Sequence, residues 1–291
     1  MSEKTVYQKN VHYFPGHMKK ALNELSSSIK LVDVVIEVMD ARTPLASHNP
    51  YLSMVLGDKP RMIVLSKSDY ADPLVTEKWI EYFASKGIIA LSLDLKKEKV
   101  FSKLIAISKP LVEKKRAKEK KYGMKPQPIR LLVVGVPNVG KSTLINNLAG
   151  KAAAKAGNKP GVTRAEQFIK LPHDFILLDT PGILPMNYED EEDAIKLALT
   201  GSIKEEILPL EKILSNLIEI FKHFYPHALQ NRFMIDDISS MELDEILLQI
   251  AKNRNYVQSG SEPDLERASF ILIKEYRDGV LGRYSLEQPD A

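Results

Sequence analysis

The sequence predicts an α/β protein, a mostly parallel sheet with helices on both faces, followed by a small all-helical domain. Three observations carry that expectation. Short apolar, β-branched runs alternate with helical stretches through about the first 180 residues, as in βαβ units whose sheet is covered on both sides. One such run leads into Gly135-Val-Pro-Asn-Val-Gly140-Lys141-Ser142 and then an apolar helical stretch (Thr143, Leu144, Ile145, Leu148). After Pro185 the strand signals fade and helical periodicity takes over.

In chain order, the expected strands are 34–39, 61–65, 88–93, 129–135 and 175–179, with helices over 73–86 and 100–115 between them. A further run at 166–171 lies only three residues before Phe175. That gap suits a hairpin, so this strand is expected to run antiparallel to the rest. Helices are expected within 190–255, as in Leu210, Ile213, Leu214, Leu217, Ile220 and Phe221, and again over 244–252 and 265–278, with a frayed tail SLEQPDA. Charge, Gly123, Pro126 and Pro128 mark 115–127 as the expected flexible segment. The domain boundaries that follow are 1–185 and 190–285, consistent with 291 residues at about 150 per domain.

With 44% hydrophobic and 27% charged residues the chain is not a disordered one. It has no cysteine, which excludes a disulfide framework, a thiolate zinc site and a cysteine nucleophile. No apolar run approaches the roughly 18 residues of a membrane span, and the polar N-terminus lacks a signal-peptide core. A soluble, cytoplasmic protein without membrane contact is expected, and a monomer. Charge is uneven: residues 109–125 carry eight basic and two acidic residues, whereas 200–291 carry ten basic and sixteen acidic. A nucleic-acid-facing surface in the first part is one reading. A solvated helix face or linker is the other.

The G-x-x-x-x-G-K-S spacing has a chemical reason. Glycines let the backbone wrap phosphate, and loop N–H groups with the helix N-terminus stabilise its charge. Asn138, Val139, Gly140, Lys141, Ser142 and Thr143 are the expected contacts, with Lys141 on the β/γ-phosphates and the Ser142 hydroxyl on magnesium. Asp179-Thr-Pro-Gly182 ends an apolar strand 37 residues after Ser142. There Asp179 can orient magnesium, and the Gly182 N–H can approach a γ-phosphate. Thr163, in the polar loop between, is a candidate second magnesium ligand.

In GTP-binding proteins, N-K-x-D after a strand recognises guanine through an Asp that accepts from N1–H and the 2-amino group. Adenine offers no such pair of donors. The match here is Ser66-Lys67-Ser68-Asp69, with Ser in place of Asn, and it lies upstream of the phosphate loop. The order makes sense as a circular permutation, with the run at 34–39 as the fourth strand of an ordinary GTPase sheet. Residues 129–182 then supply strands one to three, and the loop at Asp94 and Leu95 lends contacts to the base.

The chain thus resembles the circularly permuted GTPases of the YlqF type, the ribosome biogenesis GTPase A family. The marks are Tyr13-Phe-Pro-Gly-His-Met18, Asp40-Ala-Arg-x-Pro44, the permuted motif order and Arg277-Asp-Gly-x-Leu-Gly282. The resemblance covers nearly the whole chain and departs from the family at Ser66. It implies GTP and GDP binding and a role in late maturation of the large ribosomal subunit. The helical domain and basic surfaces would engage rRNA in the subunit precursor. It also implies a slow basal GTPase stimulated by the large subunit. Ile183 stands where signalling GTPases carry a water-orienting glutamine, and the resemblance assigns that catalytic role to His17. It further makes Asn138 a candidate ligand for potassium, against an ordinary turn asparagine. A competing reading is an RNA-binding adaptor that uses GTP only as an ordering ligand. A third, an ATP-using P-loop enzyme, is disfavoured by Asp69.

Overall fold

The computed structural model describes residues 15–96, 100–150, 167–179, 190–204 and 208–289. In its first part α1 (Pro15–Lys30), β1 (Val34–Asp40), α2 (Pro50–Leu56), β2 (Arg61–Ser66), α3 (Pro73–Ser85) and β3 (Ile89–Leu93) alternate. Then follow α4 (Val100–Ser108), a 3₁₀ turn (Pro110–Val112), α5 (Glu113–Lys121), β4 (Ile129–Val134), α6 (Lys141–Ala149), β5 (Gln167–Leu171) and β6 (Phe175–Asp179). The helical part comprises α7 (Glu191–Leu199), α8 (Leu210–Phe224), α9 (Gln230–Phe233), α10 (Leu243–Asn253) and α11 (Leu265–Arg277).

Among the described residues, six strands form one sheet in the order β3-β2-β1-β4-β6-β5. β5 is antiparallel to β6, and the other pairs are parallel. Alternation of side chains sends Val34, Ile36, Val38, Leu131 and Val133 to one face, toward α4 and α6. Val35, Leu132, Val134 and Leu178 face the other way, against Leu25 and Ile29 of α1 and Leu52 and Leu56 of α2. On that second face Met39, Ile63 and Leu65 meet Trp79 and Phe83 of α3. Both faces are therefore covered, which is why β1 is buried along its whole length.

The sheet order is the permutation made physical. From β1 the chain moves outward through β2 and β3; from β4 it crosses the other way to the edge strand β5 and returns to β6 beside β4. A GTPase sheet opened before its fourth strand has this order.

Three local expectations differ from the structure. The helix expected over 100–115 breaks at Pro110, whose missing N–H stops the ladder, and resumes as α5. The segment 115–127 begins as helix and is pinned. Lys115 Nζ bonds Asp33 Oδ2 at 2.7 Å and the Pro128 carbonyl at 3.0 Å, and Glu119 accepts from the Gln127 N–H at 3.1 Å. The tail is not frayed through 285–287: Ser285, Leu286 and Glu287 are buried. Glu287 accepts from the Leu45 and Ala46 N–H groups at 2.7 and 3.0 Å, and its backbone carbonyl accepts from Trp79 Nε1 at 3.3 Å.

Candidate nucleotide site

Where a sheet's connections diverge, the loops after the neighbouring strands leave in opposite directions and open a crevice beyond their C-terminal ends. Here that point lies between β1 and β4. The loop after β4 begins at Gly135, where a Cβ would run into the Val38 carbonyl oxygen and the backbone takes φ +153°. Only glycine lets the chain turn that close to β1. The loop ends at Gly140, the N-cap of α6, so the N–H groups of Lys141, Ser142 and Thr143 open the helix.

Lys141 Nζ donates to the Val136 carbonyl at 2.6 Å, closing the loop on itself. Burial alone pushes this ammonium down from 10.5 to about 8. A half-buried cation resting on a neutral carbonyl is suited to a polyanion, which would restore what desolvation removes. Ser142 and Thr143 are exposed on the first turn. A P-loop magnesium takes few protein ligands, its other positions coming from phosphate and water. An exposed Ser142 hydroxyl beside Lys141 fits that role. When bound, magnesium would neutralise charge on the β- and γ-phosphate oxygens. Asn138, at φ +57°, turns its amide Nδ2 toward the Gly201 carbonyl at 3.0 Å, so its Oδ1 is the atom left to serve a cation.

The second loop follows β2. Ser66 is fully buried, and its hydroxyl is shared between the Met39 and Val139 carbonyls at 3.0 and 2.5 Å. It straps this loop to the phosphate loop and presents nothing to a ligand. Val139 is likewise buried as a side chain, leaving its backbone for contact. Lys67 takes φ +54° and pairs with Asp40 at 3.0 Å. Ser68 and Asp69 follow in a turn closed by Tyr70 N–H on the Lys67 carbonyl at 2.9 Å, with both side chains partly exposed.

A third loop, after β3, joins the other two. Asp94 accepts from the Lys96 N–H at 2.9 Å, the Leu95 carbonyl accepts from Asn147 of α6, and Lys96 Nζ reaches the Tyr70 hydroxyl at 2.6 Å. Phosphate loop, candidate base loop and Asp94-Leu95 therefore form one continuous rim.

Asp179 ends β6, on the far side of β4, and so stands at the same edge of the sheet. α1 begins at Pro15, so His17 lies in its first turn. α1 meets β1 through the short turn at 31–33 and packs back along the sheet. Thr163, Gly182 and Ile183 lie outside the described residues.

Sequence reasoning did not find Arg42's role. The Asp40 carboxylate is fully buried and takes Arg42 Nε and Nη2 at 3.0 and 2.9 Å. Burial raises the carboxyl's pKa, but Arg42 and Lys67 outweigh it and hold Asp40 well below the ordinary carboxylate range. Arg42 also donates to the Arg277 and Thr200 carbonyls at 3.3 and 3.4 Å, and lies over the Tyr70 and Tyr276 rings. It joins the candidate base loop to the helical part. The signal was present in D-A-R-x-P, without its partners.

Comparison with known proteins agrees with this geometry. A family model described as "50S ribosome-binding GTPase" matches residues 130–253. The "Ribosome biogenesis GTPase A" of Bacillus cereus is 41% identical over 280 residues, covering 96% of this chain and 94% of that protein. The chain belongs to the ribosome biogenesis GTPase A family. Another "Ribosome biogenesis GTPase A", from Priestia megaterium, is 38% identical across 96% of this chain and 97% of its own. A solved structure, GNP-bound YlqF from T. maritima, aligns with TM-score 0.64 and 30% identity over 93% of this chain and 99% of that one. As a member of the ribosome biogenesis GTPase A family, the chain is a GTPase with a role in ribosome biogenesis. Among the described residues no helix is long and apolar enough to cross a membrane.

Proposed function

We propose that this GTPase binds GTP and GDP in the crevice between β1 and β4 and hydrolyses GTP slowly until a large-subunit precursor stimulates it. On this reading it acts at a late step of large-subunit assembly, in the cytoplasm, as a monomer that contacts rRNA. The observation that carries the nucleotide reading is Lys141, a desolvated ammonium at the head of α6 with a neutral carbonyl as its described partner. In this reading Lys141 and the N–H groups of residues 138–143 hold the phosphates. Asp69 accepts from the guanine edge while Asp94 and Leu95 border the base. Ser142, Thr163 and Asp179 serve magnesium, the Gly182 N–H meets the γ-phosphate, and Asn138 Oδ1 offers a ligand to potassium. His17 orients the attacking water, a task beyond the alkyl side chain of Ile183.

For RNA, α5 offers Lys114, Lys118, Lys120 and Lys121 to solvent, while Lys115 and Arg116 are engaged internally. Phosphate contacts from such residues make affinity fall with salt. The test is GTP hydrolysis with and without large ribosomal subunits, paired with co-sedimentation at several salt concentrations. Stimulated turnover with salt-sensitive association is expected. A flat rate despite association would favour an adaptor that uses GTP only for ordering.

A further inference from the structure

The loop that carries Asp69 contributes few bonds of its own. Its turn is closed by one backbone bond, Tyr70 N–H to the Lys67 carbonyl at 2.9 Å, and Lys67 occupies the left-handed region at φ +54°, which disfavours L side chains. Further bonds to its backbone come from the far end of the chain. Arg283 Nη2 donates to the Ser68 carbonyl at 2.8 Å and Nε to the Ala71 carbonyl at 2.9 Å, one on each side of Asp69. Tyr284 N–H donates to the Tyr70 carbonyl at 3.1 Å, and Ser285 Oγ accepts from the Asp72 N–H at 3.2 Å. Gly279, at φ +71°, lies where a Cβ would come within 2.5 Å of the Tyr70 ring, so segment and loop meet without a gap.

We propose that Arg283 is a positioning residue for guanine recognition: it fixes the Ser68–Ala71 turn so that Asp69 presents its carboxylate to the base. The inference rests on the reading that this crevice takes guanine nucleotides. A guanidinium suits the task because its planar fork serves two carbonyls at once, whereas a lysine would serve one. Recognition by Asp69 is bidentate, to N1–H and the 2-amino group, and so needs close geometric control. Arg283 is itself exposed. Its removal leaves neither a cavity nor a buried charge.

The experiment measures the affinity of the full chain for GDP and for inosine diphosphate, which lacks the 2-amino group, in the unaltered protein, Arg283→Ala and Arg283→Lys. Inorganic tripolyphosphate, which reports the phosphate loop alone, and thermal melting are measured in parallel. Arg283→Ala is expected to bind GDP about tenfold more weakly, the worth of one to two hydrogen bonds. Its preference for GDP over inosine diphosphate should narrow, Arg283→Lys should fall between, and tripolyphosphate affinity should hold. An unchanged GDP-to-inosine-diphosphate ratio in Arg283→Ala overturns the proposal. So does failure of both variants to fold, which would make Arg283 a residue of the fold. If the unaltered protein does not distinguish the two nucleotides, the guanine reading itself fails and the proposal falls with it.

Discussion

At the phosphate end of the crevice, the loop from Gly135 to Ser142 is bounded by β4 before it and α6 after it, and Lys141 closes it onto Val136. At the base end, the turn from Lys67 to Asp72 is held by Arg283, Tyr284 and Ser285, more than 200 residues away, while Lys67 is drawn to Asp40. The phosphate loop is built mainly by one strand–loop–helix unit, with Asn138 reaching out to the Gly201 carbonyl. The candidate base loop is a tertiary assembly, held by the docked C-terminal segment. Ser66, whose hydroxyl bonds the Val139 carbonyl, is a direct tie between the two. A nucleotide spanning both ends would therefore meet the C-terminal segment through the candidate base loop, and the helical part at the phosphate end through the Asn138 bond to the Gly201 carbonyl.

The largest expected effect leaves both ends intact. His17→Ala should bind GTP and ribosomal particles much as the unaltered protein does, yet lose particle-stimulated hydrolysis by about 10²–10⁴-fold, the usual contribution of a positioned polar group. Single-turnover rates on the particle would decide it. Unaltered turnover would make His17 structural.

Arg42→Ala should break the base end. Removing one partner of a buried pair typically costs about 3–5 kcal/mol, and here it also unties Tyr70 from Tyr276 and the Thr200 carbonyl. Denaturant unfolding would measure the loss. Asp40 is held well below its ordinary 3.8 in the folded chain, so its stabilising contribution is full above about pH 4 and is lost progressively as pH falls below that value toward its folded pKa. The acid limb of the stability curve should flatten in Arg42→Ala.

Ser66→Ala cuts the tie itself. Two buried carbonyls, of Met39 and Val139, lose a donor, a change worth about 1–3 kcal/mol. Melting temperature and GDP affinity should fall together. Affinity that holds while stability drops would show that the two ends align independently.

The smallest effect concerns pH. Burial lowers Lys141 to about 8 from 10.5, so in the free protein its buried charge is a burden below pH 8 that is relieved as pH rises toward 10.5. Bound phosphates favour the ammonium. Above pH 8 nucleotide binding should therefore take up a proton, and affinity should fall by up to about tenfold per pH unit. Calorimetry in two buffers of different ionisation enthalpy would reveal the proton. Lys141→Arg should abolish the pH dependence.

The contrast between the two ends also explains what could be read before the structure. The strands, the antiparallel hairpin at 167–179 and the permuted order follow from apolar alternation and motif order. The phosphate loop was legible because strand, glycines, lysine and helix are contiguous. Arg283 was not, because a short polar stretch ending in SLEQPDA reads as a tail until Ala71, Leu45 and Trp79 are brought to it. Ser66 was legible as a departure from Asn but not as a strap, since Val139 is its partner only in the folded sheet. The segment 115–127 read as flexible for the same reason: Asp33 and Gln127, which anchor Lys115 and Arg116, are not helical neighbours.

The central claim is that the permuted sheet brings Asp69 and Lys141 to one nucleotide, so that base and phosphates are recognised together. Competition between GTP and ATP for the unaltered chain and for Asp69→Asn, under the same magnesium concentration, tests it most directly. The unaltered chain should prefer GTP clearly. Asp69→Asn should lose most of that preference, because its amide offers a donor where guanine also offers donors, while Lys141 keeps its hold on the triphosphate. Equal competition by ATP and GTP in the unaltered protein would contradict the account.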